Sequence, residues 1–555
     1  MGHDHDHHSH SHEPVPAAAD VDVPDEALSP DGLSRRSMFR RAGLLGAGLA
    51  SASVLTAGVA TAGPDRNRPP RNGFLWLAGD HHIHTQYSSD AKYRVIDHVR
   101  HAGAYGLDWM VITDHGSEQH AKIGVDKVNP DIVAARDAIE DTLVFQGLEW
   151  NIPAAEHGTV FVHPGRNEVA LLKEFENSYD GVVKGTIAGT PANEALAIAG
   201  VNFLADAVRR RSVQDALFLA NHPARKGIDS PHEIRAWRDA APSIAVGMEG
   251  APGHQGAGIP APHGPGSGRG GYDNSPSADS FPGYPLESYR TWGGFDWMTS
   301  TVGGLWDSLL AEGKPWLITA NSDSHNVYAD NAVRGPGSDF IKNGKYNDPV
   351  YGGDLNLGDT DFWPGYYSRT HVGASGFSYA AVMDGIRAGR VWVDHGGLIS
   401  GLDVRLRARN GRDEAPLGGM LHVRRGTEVD LVISVDLANG PNWAQFVPQL
   451  ARIDVIAGDV TGAAADRDGF VAPTAKVVKS FEVNKSAGTV RFTYPLGRVG
   501  TPRYVRLRGT DGNRTAVGLR GAAVDASGPA MDVLGSADPW RDLWFYSNPL
   551  WVLPS

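Results

Sequence analysis

Between Phe74 and Gly397 the chain alternates short apolar runs with longer stretches of helical periodicity. Phe74–Leu77, Trp109–Ile112, Leu143–Phe145, Val160–Val162, Leu217–Ala220, Ile244–Val246 and Trp316–Thr319 are brief, apolar and strand-like. Arg94–Tyr105, Asn193–Arg210 and Leu305–Glu312 read as helices lying between them. Strand, helix, strand in repetition predicts a parallel sheet, most economically closed into a barrel. Catalytic groups then belong at the carboxyl ends of the strands.

Two stretches break this rhythm. Gly250–Pro285 is dominated by Gly, Pro and Ser and carries His254 and His263. A loop this long inside a compact domain is either a functional rim or lid beside the site or an insertion without a role. Asn331–Trp363 is also polar and glycine-rich. Beyond Gly397 the texture changes to short alternating stretches such as Leu402–Leu406, Val429–Val435, Arg452–Ile456, Thr489–Tyr494 and Tyr504–Leu507, with turn residues between them. That pattern predicts a β-sandwich over residues 398–555. Near its end, Trp544, Phe545, Tyr546 and Trp551 are expected to pack the sandwich on the barrel, with a sugar-binding platform as the alternative.

A chain of 555 residues suits two folded domains and a tail. Residues 1–62 read as an address. Ser34-Arg35-Arg36-Ser37-Met38-Phe39-Arg40 resembles the twin-arginine export motif, a weakly apolar Gly- and Ala-rich run follows from Ala42 to Val59, and Ala60-Thr61-Ala62 offers a cleavage site. The run is too short and too glycine-rich for a stable membrane anchor. The expectation is export to the periplasm, cell envelope or medium, with a mature chain starting near Gly63, a linker over residues 63–73 and a barrel domain over 74–397. The absence of cysteine fits a protein folded in the cytoplasm before transport. The opening His3, His5, His7, His8, His10 and His12 form a weak metal-binding tract, a tag or a solvated tail.

Formal net charge is −13, of which residues 1–62 hold four Arg against six Asp and two Glu. No basic patch points to nucleic acid. The chemistry lies in nine residues at or just past the ends of apolar runs: His82, His84, Asp90, His115, Glu149, His157, His222, Asp323 and His325. Nine such ends supply ligands for two or three divalent ions. His82 and His84 stand two apart on an extended strand end, so both rings point to one side. Asp90 follows in the Ser88-Ser89-Asp90 turn, Thr113-Asp114-His115 and Gly147-Leu148-Glu149 end the next two runs, and Asn221-His222-Pro223 and Ser322-Asp323-Ser324-His325 complete the set.

In this order the motifs resemble those of the polymerase-and-histidinol-phosphatase superfamily, known as PHP, over roughly Leu75 to Val393. The resemblance implies a distorted seven-stranded β/α barrel with up to three metal ions. It implies that His82, His84, Glu149 and Asp323 hold one ion, that Glu149 bridges to a second held by His157 and His222, and that Asp90, His115 and His325 hold a third. His163 competes with His157 for its place. His81 is expected to stand by or to act from behind the ligands, and Asp80 and Asp114 to orient imidazoles.

Three divalent ions against the carboxylates Asp90, Glu149 and Asp323 leave an excess of about +3, which favours an anion such as a phosphate ester. A metal-bound hydroxide would attack it, so no side-chain nucleophile is required. Arg225 and His371, with Lys226 and Arg369 nearby in sequence, are candidates for stabilising charge or protonating a leaving group. The leading expectation is a secreted metal-dependent phosphoesterase acting on a small-molecule or envelope-polymer ester, with Zn, Mn or Fe as its metal. Met383-Asp384-Gly385-Ile386-Arg387-Ala388-Gly389-Arg390-Val391-Trp392 and the β-rich tail also resemble the PHP branch that hydrolyses carbamates and aryl esters. A third reading is an exported glycan- or metal-binding protein without turnover.

Overall fold

The computed structural model describes residues 73–512 and 542–555, apart from 255–258, 260, 266–271, 273, 290, 292, 410, 412, 444 and 446. The export motif, the His-rich tract and all but the last residue of the linker lie outside the described residues.

Each of the seven apolar runs becomes a strand: β1 (Leu75–Asp80), β2 (Trp109–Ile112), β3 (Leu143–Asn151), β4 (His157–Val162), β5 (Ala216–Ala220), β6 (Ala245–Ala251) and β7 (Leu317–Ala320). They lie side by side in chain order. Helices Val95–Ala104, Pro191–Arg209 and Leu305–Ala311 fall on the predicted helical stretches. The second of these starts as Pro at the first helical position prescribes, with Thr190 accepting the Asn193 N–H as cap.

The sheet is mixed, where the alternating pattern predicts a parallel one. β1, β2 and β3 are parallel, as are β5, β6 and β7, but β4 runs antiparallel to both its neighbours. The cause is length: only residues 152–156 join β3 to β4, far too few for a crossover helix. The reversal pairs His157, at the start of β4, with Asn151 at the end of β3.

A two-stranded ladder of β8 (Ala332–Val333) and β9 (Val350–Tyr351) occupies the second polar loop. β10 (Ser368–Ala374) then pairs antiparallel with β1, and β11 (Val391–His395) antiparallel with β10. The rest of the chain is strand-rich, with β12 (Ile399–Ala408), β13 (Glu414–Pro416), β14 (Met420–Val423), β15 (Glu428–Leu437), β16 (Arg452–Asp459), β17 (Lys476–Glu482), β18 (Thr489–Arg498), β19 (Arg503–Thr510), β20 (Trp544–Ser547) and β21 (Leu550–Pro554). β13, β12, β15 and β18 form a four-stranded sheet, while β20 pairs with β11 and carries the large sheet on through β19, β21 and β14. Val404, Leu406, Leu431 and Ile433 of the small sheet share one core with Ile453, Val455, Val505 and Leu507 of the large one.

β20 shows how the two regions are joined. Its side chains alternate across the sheet. Trp544 and Tyr546 enter the core of the β1–β7 region, with the Tyr546 ring 4.2 Å from that of Phe295, and Phe545 enters the C-terminal core. The aromatic end therefore packs one region on the other, as the sequence suggested.

The free edge of β7 is closed by side chains rather than by a backbone ladder. Thr370 Oγ1, on β10, donates to the Ala320 carbonyl at 2.6 Å and accepts its N–H at 2.8 Å. The Asn548 amide, just past β20, donates to the Ile318 carbonyl at 3.0 Å and accepts its N–H at 2.8 Å. β7 is thus drawn back toward β10 while its buried polar groups stay satisfied. Asn548→Leu strands both Ile318 groups, and denaturant unfolding should show a loss of roughly 2–4 kcal/mol with an unchanged slope.

Candidate metal centre

Strand ends place the ligands. His82 and His84 follow β1 and flank Ile83, which is buried and forms a bridge with Ser324. Extended backbone sends alternate residues to opposite sides, so the two imidazoles face the cluster while Ile83 faces the core. His115 follows β2, Glu149 lies in β3, His157 opens β4, His222 follows β5, and Asp323 and His325 follow β7. Asp90 comes from the loop after β1.

The structure brings all nine together. His82 Nε2 and His84 Nε2 face each other at 3.0 Å and lie 3.1 Å and 3.0 Å from Asp323 Oδ1. Glu149 is central. Its Oε1 is 3.1 Å from His82 Nε2, 2.9 Å from His157 Nδ1 and 3.2 Å from His222 Nε2, and its Oε2 is 2.7 Å from His115 Nδ1. Asp90 Oδ2 is 3.0 Å from His115 Nε2 and 3.5 Å from His325 Nε2. Access is from the Asp90 side, where that side chain is 48 % exposed against 3 % or less for His82, His84, Glu149, His222 and Asp323.

These residues fit divalent ions. Glu149 Oε2 and Asp323 Oδ1 are buried without an aligned hydrogen-bond donor among the described residues. His82 Nδ1 is engaged by Glu249 Oε1 at 2.7 Å and His84 Nδ1 by Ser88 Oγ at 3.0 Å, which leaves both Nε2 atoms to the cluster. Two such nitrogens at 3.0 Å are tolerable only around a shared proton or cation. Donor sets within 4.8 Å of one another are His82, His84 and Asp323; His84, Asp90, His115 and His325; His115, Glu149 and His157; and Glu156, His157 and His222.

The field is what a cation site requires. Burial alone would raise Glu149, yet the imidazoles of His157, His82 and His115 hold its carboxyl well below the usual range. Burial pushes the His82 imidazole down, but Asp323, Glu149 and Glu249 carry it well above its ordinary value. Backbone strain accompanies these charges: His222 and Asp323 have φ of 29° and 46°. Gly253 presses on the second of them, since a Cβ there would lie 2.2 Å from Asp323 Cβ.

Other expected residues divide. His157 meets Glu149, whereas His163 closes the opposite end of β4, bonded to its neighbour's carbonyl and near the Tyr379 ring. His81 is no part of the cluster: its Nε2 lies 2.7 Å from Thr319 Oγ1, and burial, then the neighbouring His82, pushes it down to about 3. Asp80 and Asp114 hold backbone rather than imidazoles. Asp80 accepts the N–H groups of His82 and Ser322, and Asp114 accepts the Thr85 N–H and hydroxyl. Arg225 and Lys226 pair with Glu156 at 2.9 and 3.2 Å, and Glu156 lies 3.6 Å from His222. His371 is bonded to Asp394 at 2.7 Å and stacked on Trp392, with none of the nine among these partners. Arg369 donates to the Gly365 carbonyl.

Residues missed in the sequence stand behind and beside the ligands. Glu249 lies two residues before the end of β6, as Glu149 does in β3, and three residues beyond the apolar stretch Ile244–Val246. His254 Nε2 lies 3.2 Å from Asp323 Oδ2, and the Tyr272 hydroxyl contacts the same oxygen. Asp361 accepts the His325 N–H at 2.7 Å and touches His254. The last three lie in polar loops that carry no periodic signal.

Residues 80–189 match the profile of the PHP domain. The chain carries a PHP domain. The matched span holds His82, His84, Asp90, His115, Glu149 and His157, and the remaining three ligands lie beyond it. No curated protein matches the chain. Among solved structures it is similar to a two-domain protein from Bacteroides vulgatus ATCC 8482 containing a predicted PHP-like metal-dependent phosphoesterase, at 14 % identity and a TM-score of 0.30, over 79 % of this chain and 92 % of that one. It is also similar to endonuclease Q bound to a 27-mer duplex with an abasic lesion at the active site, at 15 % identity and a TM-score of 0.20, over 34 % and 47 %. The donor groups in and beyond this span could hold metal ions. Glu249→Gln should leave the nine ligands in place but lower metal affinity about 10- to 100-fold, read by competition with a chelator.

Proposed function

We propose that the protein is an exported phosphoesterase whose nine ligands hold up to three divalent ions, partitioned as the PHP resemblance implies. The observation that carries this reading is Glu149, one buried carboxylate in contact with five imidazoles from four different strand ends. A carboxylate so placed is shared between cation positions, the arrangement that lets paired ions clamp both oxygens of a displacement. Bound divalent ions supply Lewis acidity and shift the pKa of water from ~15.7 toward ~7.

The chain's own residues do the rest. Ser88 is taken up with His84 Nδ1 and the His115 N–H, so it orients ligands and does not serve as a nucleophile. Water is the attacking group in this reading. Arg225, 20 % exposed beside Glu156 and His222, is placed to meet an anionic oxygen. Export through the twin-arginine route rests on Ser34–Arg40 and the run after it. Among the described residues no helix is long and apolar enough to cross a membrane.

One observation favours a second reading, a carbamate or carboxylic-ester hydrolase. Glu249, Glu156 and Asp361 add carboxylates around the ligand set, and among the described residues only Glu156 of the three is paired with Arg or Lys. They reduce the positive excess that would select a phosphate, and a neutral carbonyl substrate loses less by this.

Aryl phosphomonoester, aryl phosphodiester and aryl acetate or carbamate, offered to the protein and to His82→Ala with metal content measured on both, separate the readings. We expect phosphate-ester turnover in the parent and a loss of at least about 100-fold in the variant. Turnover of the carbonyl esters alone would transfer the assignment to the second reading, and metal retention without any turnover would make this a binding protein.

A further inference from the structure

His254 belongs to the Gly- and Pro-rich insertion, outside the span that matches the PHP domain. It nevertheless resembles His82 in the way it is held, with Thr360 Oγ1 as a further partner of its Nδ1 at 3.4 Å. His82 rests its Nδ1 on one oxygen of the buried Glu249, whose other oxygen accepts the backbone N–H of the ligand His222 at 2.6 Å. His254 rests its Nδ1 on one oxygen of the buried Asp361, whose other oxygen accepts the backbone N–H of the ligand His325 at 2.7 Å. In both cases the carboxylate fixes the ring and turns Nε2 toward the cluster, the arrangement that prepares an imidazole for a metal.

A second observation concerns where that Nε2 arrives. It lies 3.2 Å from Asp323 Oδ2, whereas His82 and His84 approach Oδ1. Donor atoms of His254, Asp323 and His325 all fall within 4.8 Å of one another. The chain is strained to achieve this, with φ of 55° at His254, and Gly253 gives the close approach that any side chain would block.

The geometry points to His254 as a tenth ligand of the centre: with Asp323 Oδ2, its Nε2 joins the cation position to which His325 turns its own Nε2 beside Asp90 and His115, because His325 Nδ1 already donates to the Asp323 carbonyl at 2.8 Å. Asp323 would then connect the side of His82 and His84 with this position through its two oxygens, with the Tyr272 hydroxyl also on Oδ2. Nitrogen and carboxylate donors of this kind suit Zn, Mn or Fe. The inference does not depend on which ester is cleaved, because it is read in bound metal.

The test compares the full chain with His254→Gln, Asp361→Asn and His263→Gln after loading with Mn or Zn and dialysis, using elemental analysis per chain. The His-rich N-terminal tract is common to all four and cancels in the difference. We expect His254→Gln to hold one ion fewer than the parent and His263→Gln, in the same insertion, to match it. Asp361→Asn should release that ion to a chelator about 10- to 100-fold more readily. A full complement in His254→Gln, loss of every ion in it, or parental chelator resistance in Asp361→Asn overturns the proposal.

Discussion

A carboxylate taken out of water costs several kcal/mol unless its charge is matched. Glu149 is 1 % exposed and has five imidazoles around it. Protons alone answer that demand poorly, since His84, His115 and His325 crowd one another within ring-contact distance and cannot all be cationic at once. Cations placed between the rings satisfy the carboxylate and separate the imidazoles together. The sheet order, the reversal of β4 and the strained backbone at His222 and Asp323 all serve to bring donors from five other strand ends around this one group.

A shell of carboxylates holds the donors in turn. Asp80 fixes the backbone on both sides of the site by accepting N–H groups from His82 and Ser322. Glu249 ties His82 to the loop that carries His222. Asp114 secures the turn after His84. Each is buried, and each is lifted toward neutrality by that burial, so the ligand field itself has to keep them useful as acceptors. The geometry of the candidate ligands is therefore set from behind, by residues outside the nine.

The legible part of this molecule was what periodicity and chemistry both mark. All seven apolar runs became strands, and the nine residues at their ends meet in one place, because a buried strand that ends in an imidazole has few other uses. The direction of β4 was not legible from alternation; it follows from the shortness of residues 152–156, a signal present in the sequence but outweighed by the overall pattern. β10 escaped because Ser368-Arg369-Thr370-His371 is polar, and it is polar because Thr370 must hydrogen-bond the β7 edge and His371 must meet Asp394. His254, Tyr272 and Asp361 sit in loops whose only sequence signature is glycine and proline, so their place at the site emerges from tertiary contact alone.

The closure of β7 by Asn548 sets an order on the protein's biogenesis. Ile318 and Asn548 are 230 residues apart, and β20, which covers the edge of β11, is also made after all seven of the first strands. Until those residues leave the ribosome, the sheet that carries the ligands has open edges able to pair wrongly. Contacts of such separation also form slowly. A nascent chain that already contains all nine candidate ligands still lacks the strand that seals the sheet behind them.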